Sequence, residues 1–246
     1  MTAVIKTCAC KVDECVLCEA RMYVGLDHEQ ACAMRGLLTH RRYDTHATIF
    51  RQGDLSEFLF VLQEGSVKLT LTDADGREQI IGLPSPGQLL GFNSVDEQAY
   101  AYTATALTSA AVCKIRHRDM LEILHQNPNV AVRTIAMLNE ELAQARSLIH
   151  ILGQKSAVEK VATFVLLLER HSPSAENQTI ALPLSRQEMA ELLGLTVETV
   201  SRLMSEFKRD GLLEAPRGYV RILDRDKLRK LAGSIEPTES PSVAAS

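Results

Sequence analysis

Residues 185–214 read SRQEMAELLGLTVETVSRLMSEFKRDGLLE, and this stretch decides the fold of the C-terminal part of the chain. Ser185 is a good helix N-cap, and Glu188 three residues later completes a capping box. Gly194 then favours the left-handed conformation that a helix exit needs, and Thr196 begins a second helix. Two short helices joined by a glycine turn predict a helix-turn-helix. The apolar residues expected to face inward are Met189, Leu192, Leu193, Val200, Leu203, Met204 and Phe207.

The second helix carries polar residues on its outward face, near its N-terminus. Arg donates two hydrogen bonds to guanine, Glu accepts one from cytosine, and Ser bonds to either base or packs near thymine. A helical hairpin of purely structural role would share the apolar pattern but would not require these residue types. The pattern therefore predicts base reading by Glu198, Thr199, Ser201 and Arg202, with phosphate contacts from Ser185, Arg186 and Gln187 at the start of the first helix.

The segment ETVSR, inside RQEMAELLGLTVETVSRLMSEFKRDGLL, resembles the recognition helix of the CRP/FNR family of bacterial transcription regulators. It is most similar to the FNR branch, which carries the residues that stand here as Glu198, Ser201 and Arg202. The cyclic-AMP branch usually has Arg before this Glu, where this chain has Val197, and Gly in place of Ser201. The resemblance implies a homodimer that binds a palindrome of the TTGAT/ATCAA type and acts with RNA polymerase.

Composition limits the remaining classes of protein. A chain of 246 residues with 46% hydrophobic content can form one large domain or two modest ones. Its net charge of −4 argues against a general polyanion binder, although residues 185–233 hold ten Lys and Arg against eight Asp and Glu. Neither a membrane-length apolar run nor a signal-peptide pattern is found, which predicts a cytoplasmic protein without a membrane partner.

Six cysteines form the unusual part of the composition. Four of them crowd into residues 8–18 as C-x-C-x4-C-x2-C. In a reducing compartment such crowding indicates metal or redox chemistry more than disulfides. An iron–sulfur cluster is favoured over zinc, because zinc usually takes two CxxC pairs or a CxxC with histidines. Cys32 lies at an apolar position of a helix-like stretch and is interpreted as a small buried hydrophobe.

Members of the FNR branch hold a four-iron, four-sulfur (4Fe-4S) cluster with three N-terminal cysteines and one distant cysteine in the β-domain. The resemblance therefore implies ligation by Cys10, Cys15, Cys18 and Cys113, with Cys8 as the alternative to Cys10. The family more often shows C-x2-C-x5-C, whereas here the short spacing comes last. The choice between Cys8 and Cys10 is left open by this difference.

Residues 40–120 contain short apolar runs such as TIF, FLFVL, VKLTLT, QIIGL and AVCKI, separated by glycine-containing turns. This spacing predicts an all-β barrel or sandwich, and it resembles the β-roll of the family's cyclic-nucleotide-binding fold. Phe92 stands where the cyclic-AMP branch has its ribose-binding Glu, and the phosphate-binding Arg-Ser pair is replaced near Tyr100 and Ala101. An uncharged site cannot neutralise a buried phosphate, so no cyclic nucleotide is expected.

A long helix is predicted after the breaker Asn127-Pro128-Asn129. Its apolar residues repeat at steps of three and four, which is typical of a coiled-coil seam between two copies, although a helix lying on the β-domain is the alternative. Acidic residues on this seam weaken the dimer in some relatives, whereas this chain has Ala145 there. In the family this helix forms the dimer interface; the seam residues are Ile135, Leu138, Leu142, Ala145, Ile149 and Leu152.

The fold class is therefore α+β, with an N-terminal β-roll, a dimerisation helix and a C-terminal winged helix-turn-helix. Gly153 is expected to turn the chain, residues 156–171 to form a helix, Pro216–Gly218 to form the wing turn, and residues 225–232 to form a last helix. The predicted boundaries are a cluster-binding segment at 1–22, the roll at 23–126, the dimer helix at 127–152, the DNA-binding domain at 153–233 and a disordered tail at 234–246.

The leading hypothesis is an oxygen-responsive transcription regulator with a 4Fe-4S cluster. A regulator that senses nitric oxide or redox state through haem or thiols shares the same domain plan. A redox enzyme is disfavoured, because the β-region lacks a set of His and carboxylate ligands: His40 and His46 precede its core strands and His117 and His125 follow them, where lone histidines are usually surface or capping residues. The sequence also shows no catalytic triad, Walker loop or dinucleotide-binding fingerprint.

Overall fold

The computed structural model describes residues 36–92, 99–170 and 179–233. The chain divides into two compact units, one ending at Leu148 and the other beginning at Ile149. Within the described ranges, none of the helices combines the length and apolar character required to cross a membrane.

The described part of the first unit contains eight strands: β1 Thr39–Tyr43, β2 Thr48–Phe50, β3 Phe58–Glu64, β4 Val67–Thr72, β5 Glu78–Gly82, β6 Leu89–Leu90, β7 Thr103–Ala106 and β8 Ala110–Arg116. They form two antiparallel four-stranded sheets, with orders β1-β8-β3-β6 and β2-β7-β4-β5. All five of the predicted apolar runs lie on strands, so the expected β-roll is confirmed.

The central strand β3 of the first sheet is buried on both faces, and its side chains point alternately to one face and the other. Phe60 and Leu62 of β3 point into the interior of the roll, where they pack with residues of both sheets. Leu59 and Val61 point to the opposite face and pack with two helices. These helices are α1, His117–Gln126, and α2, Pro128–Gln154.

The second unit contains α3 Ala157–Arg170, β9 Thr179–Ala181, α4 Arg186–Leu193, α5 Val197–Arg209, β10 Leu213–Glu214, β11 Tyr219–Ile222 and α6 Arg225–Ala232. The strands β10 and β11 pair antiparallel as the predicted wing hairpin, and β9 adds a third strand on the other side of β11. All seven apolar residues of α4 and α5 that were expected to face inward are buried.

Three details differ from the sequence-based expectations. Helix α1 occupies residues that were grouped with the β-region, and His117 at its start is buried rather than exposed. Gly153 lies inside α2 and does not turn the chain, because the helix continues to Gln154. His40 does not precede the strands but belongs to β1. Five of the six cysteines (Cys8, Cys10, Cys15, Cys18 and Cys32) and the proposed tail at 234–246 lie outside the described residues.

Candidate nucleic-acid interface and cysteine site

The helix-turn-helix is shaped by local capping interactions. The Ser185 hydroxyl accepts from the Glu188 backbone N–H, and the Glu188 carboxylate accepts in return from the Ser185 N–H, at 3.2 and 2.9 Å. Gly194 ends α4 in the left-handed conformation with φ of 59°. The Thr196 side chain then accepts from the Thr199 N–H and begins α5. These local interactions fix where α4 begins and ends and where α5 begins.

The outer face of α5 presents the predicted base-reading residues. The side chains of Glu198 and Arg202 are exposed, one turn apart, while Thr199 and Ser201 are half-buried beside them. The Thr199 hydroxyl is hydrogen-bonded to the Thr196 hydroxyl at 3.0 Å. Arg202 Nη1 donates to Glu206 Oε1 at 2.9 Å, an ion pair that sequence reasoning missed. The face therefore offers one carboxylate acceptor and one guanidinium fork, the groups that suit a guanine–cytosine pair.

The start of α4 carries the predicted phosphate contacts. Ser185 and Gln187 are exposed, and the Gln187 side chain donates to Glu191 Oε1 at 2.9 Å. Arg186 is half-buried, with Nη1 lying 3.1 Å from the sulfur of Met189. Burial lowers the pKa of the Arg186 guanidinium below its usual value, although an arginine remains charged at neutral pH.

The wing adds a basic group that was not among the predicted site residues. Arg217 is exposed in the turn between β10 and β11, next to Gly218 with its positive φ of 80°. Arg221 on β11 instead pairs with Glu214 across the hairpin. The signal in the sequence was a basic residue at the centre of the predicted turn, a position that projects away from the packed face.

Cys113 lies in the middle of β8 and is fully buried. Its side chain belongs to the helix-facing cluster, together with Val61 and Ile115. Leu38, immediately before β1, packs against the same cluster.

His40 of β1 is the cross-strand partner of Cys113, and its Nδ1 lies 3.0 Å from the cysteine Sγ. The contact joins residues 73 positions apart, so no local pattern could have indicated it. Within the residues that the structure covers, no group of three or more His, Cys, Asp or Glu side chains is arranged to hold a metal ion. Of the four predicted thiol ligands, the covered part therefore holds Cys113, and the other three, Cys10, Cys15 and Cys18, precede it in the chain.

The interior of the roll is filled by aromatic side chains. Phe50 stacks on Tyr100 with ring centroids 4.1 Å apart, and on Phe60 at 5.3 Å. The Tyr100 hydroxyl donates to the Phe58 carbonyl at 2.8 Å, and the Tyr102 hydroxyl accepts from the Gly91 N–H at 3.0 Å. Burial raises the pKa of Tyr102 to about 12.

Helix α2 presents the predicted seam as an apolar stripe. It packs on the roll through a neighbouring stripe: Val130 and Thr134 are buried, and Gln88 Nε2 donates to Gln144 Oε1 at 3.0 Å. The alternative of a helix lying on the β-domain therefore holds for this other face of α2, and the pairing of two copies through the seam stays a prediction. The seam residues Ile135, Leu142, Ala145 and Ile149 are exposed, and Leu138 and Leu152 are half-buried.

Two family models match the chain in the order of its two folds. The cyclic nucleotide-binding domain matches residues 40–127, and the Crp-like helix-turn-helix domain matches residues 159–231. FixK2 from Bradyrhizobium japonicum, a solved structure, superposes with a TM-score of 0.73 at 28% identity, over 80% of this chain and 98% of that one.

Two curated relatives match at least three quarters of the chain. The transcriptional activator protein FnrL of Cereibacter sphaeroides is 33% identical over 228 residues, which cover 89% of this chain and 91% of FnrL. The transcriptional activator protein FnrA of Stutzerimonas stutzeri is 35% identical over 189 residues, 76% of this chain and 77% of FnrA. The chain therefore belongs to the CRP/FNR family and is a DNA-binding transcription regulator rather than an enzyme.

Proposed function

We propose that this regulator is an oxygen-responsive activator of the FNR type, which binds a TTGAT/ATCAA-like palindrome as a homodimer and acts with RNA polymerase. The observation that carries the proposal is the outer face of α5, where Glu198 and Arg202 are exposed one turn apart with Ser201 between them. The names of FnrL and FnrA as transcriptional activators support the direction of regulation.

Each side chain has a role that follows from its donors and acceptors. Arg202 forks onto the guanine of the half-site, Glu198 accepts from the amino group of the cytosine paired with it, and Ser201 approaches the thymine. Ser185, Arg186 and Gln187 contact phosphates and fix the register of α4 on the duplex.

A mobility-shift comparison of two palindromes tests this assignment. The protein should prefer TTGAT/ATCAA to the TGTGA-type site, because Val197 provides no donor for the extra guanine. Arg202→Ala should cost ~1–3 kcal/mol per half-site and relax discrimination at the guanine. Equal affinity of the wild type for both palindromes would contradict the proposed roles.

For the sensor we propose a 4Fe-4S cluster held by Cys10, Cys15, Cys18 and Cys113, with Cys8 as the alternative to Cys10. The surroundings of Cys113 are compatible with a soft metal ligand: its thiol is buried, and Leu38, which follows the other cysteines in the sequence, packs against the same group of buried side chains. When bound, the cluster supplies an oxygen-labile centre. Cys113 would link the cluster to β8, so that loss of the cluster would affect the buried side chains around this strand.

The aromatic interior supports a roll that binds no cyclic nucleotide. A bound phosphate requires a cationic partner, whereas the buried residues at the centre of the roll are aromatic and aliphatic. The hydroxyls of Tyr100 and Tyr102 are already bonded to backbone groups of Phe58 and Gly91. Calorimetric titration with cyclic AMP should therefore give no heat of binding.

Iron and sulfide analysis of protein purified without oxygen tests the sensor. We expect about four irons per chain and a broad thiolate-to-iron absorption, both lost in Cys113→Ser. Cys32→Ser is the matched control and should retain both. A sharp Soret band would indicate haem, and a colourless protein with zinc would reject the cluster.

A further inference from the structure

Arg202 lies one helical turn from two carboxylates on α5, Glu198 before it and Glu206 after it. A Glu that precedes its basic partner by four residues is the favoured arrangement on a helix, and the reverse order is less favourable. Local electrostatics would therefore pair Arg202 with Glu198. The structure shows the opposite, because Arg202 Nη1 donates to Glu206 Oε1 at 2.9 Å.

Glu206 does not stabilise α5 through the charge of its side chain. It lies in the last turn of α5, next to the basic residues Lys208 and Arg209 that suit this end. A negative charge in the last turn opposes the partial negative charge of the exposed carbonyls, so an acidic residue here costs helix stability. The Glu206 side chain is the more buried member of its pair, 32% exposed against 61% for Arg202. It is therefore a well-positioned acceptor for the guanidinium.

We propose that Glu206 is a specificity-determining positioning residue, which keeps Arg202 away from Glu198 so that both remain available to DNA. An ion pair between Arg202 and Glu198 would use the donor meant for guanine and the acceptor meant for cytosine in one contact. The bond to Glu206 uses one of the five guanidinium N–H groups and leaves the others for a base. It also restricts the rotamers of a long side chain before DNA arrives, which lowers the entropy lost on binding.

This inference rests on the proposed reading role of Arg202, and it makes a prediction of its own. In Glu206→Gln the guanidinium is released and pairs with Glu198. Discrimination between TTGAT half-sites and half-sites with adenine in place of guanine should then fall about fivefold over the palindrome, or ~1 kcal/mol. Binding to unrelated DNA should rise slightly, because one negative charge near the phosphates is lost.

The experiment measures the affinity of the full-length protein, prepared without oxygen, for three duplexes. These are the TTGAT/ATCAA palindrome, the same palindrome with adenine in place of the guanine of each half-site, and unrelated DNA. Asp210→Asn is the matched control: it removes the same charge one turn further on, from an exposed residue that pairs with Arg209. The control should reproduce the rise in non-specific binding and leave discrimination unchanged. Thermal unfolding of Glu206→Gln should show no loss of stability, as expected for a residue whose role is not structural.

A double-mutant cycle with Arg202→Ala completes the test. If Glu206 acts through Arg202, Glu206→Gln has no further effect on discrimination in the Arg202→Ala background. Loss of discrimination that is equal in the presence and absence of Arg202, or equal to that of Asp210→Asn, overturns the inference. A wild-type protein that shows no guanine preference at all contradicts the proposed function instead, so the two failures are distinguishable.

Discussion

Replacing Leu142 by Glu tests whether the apolar stripe on α2 joins two copies of the chain. Leu142 lies in the middle of the stripe and leaves 46% of its surface exposed in the single chain. The neighbours Ile135 and Ile149 leave 57% and 69% exposed. Apolar side chains of this size are rarely left in water in such a regular row, so we expect a second copy of the helix to cover them.

The magnitude follows from the exposed fraction. Full burial of a leucine contributes ~1.5–3 kcal/mol, so covering the exposed half of Leu142 contributes roughly 0.7–1.5 kcal/mol per protomer and about twice that per dimer. Loss of this contribution alone should raise the dimer dissociation constant about 10- to 100-fold. The substitution adds two like charges across a poorly solvated interface, so this range is a lower bound.

Analytical ultracentrifugation over a concentration series measures the change. Ser147→Glu is the matched control, since it adds the same charge to an exposed residue of α2 that lies off the seam. The control should leave the dimer intact. A Leu142→Glu protein with the dimer affinity of the wild type, or a wild type that sediments as a monomer, would refute the pairing of the seam. Because Ala145 introduces no charge repulsion, we also expect part of the dimer to persist after the cluster is removed.

Three further predictions test the fold and the interface. Gly65→Ala should lower the free energy of unfolding by at least ~1–3 kcal/mol in a denaturant titration, because φ is +89° and a Cβ would lie 2.3 Å from the Ser109 carbonyl oxygen; Gly76→Ala, with positive φ but open space, should cost less. Burial raises the pKa of Glu141 above its ordinary value of 4.5, because the buried side chain is poorly solvated when it is ionised. The contribution of Glu141 to stability is therefore fully present below pH 4.5 and is lost as the pH rises through the raised pKa. Glu141→Gln should therefore be more stable than the wild type at neutral pH, with a difference that vanishes below pH 4.5, as thermal melts across pH would show. Arg186→Ala should weaken binding to every DNA sequence alike and reduce the salt slope by about 1, whereas a loss confined to one sequence would place Arg186 at a base.

The helix-turn-helix could be predicted in detail because its determinants are local. Each cap at Ser185 and Thr196 involves groups three residues apart, and Gly194 ends its helix through its own backbone conformation. The wing turn and the last helix were predictable for the same reason. The strands of the roll were recognisable from their apolar runs, except for short strands such as Thr103–Ala106, whose small and polar residues carry weak strand signals.

The sequence by itself determined the family, the capped helices of the helix-turn-helix, the order of the β-roll, the long helix and the DNA-binding domain, and the spacing of the α2 seam. Only the tertiary structure decided which groups meet across long separations: His40 with Cys113 through strand register, and Gln88 with Gln144 through helix packing. It also decided that Arg202 bonds Glu206, although the order of charges along the helix favoured Glu198. The physical reason is that capping and periodicity act within a turn of the chain, whereas register and rotamer choice depend on how the whole core is filled.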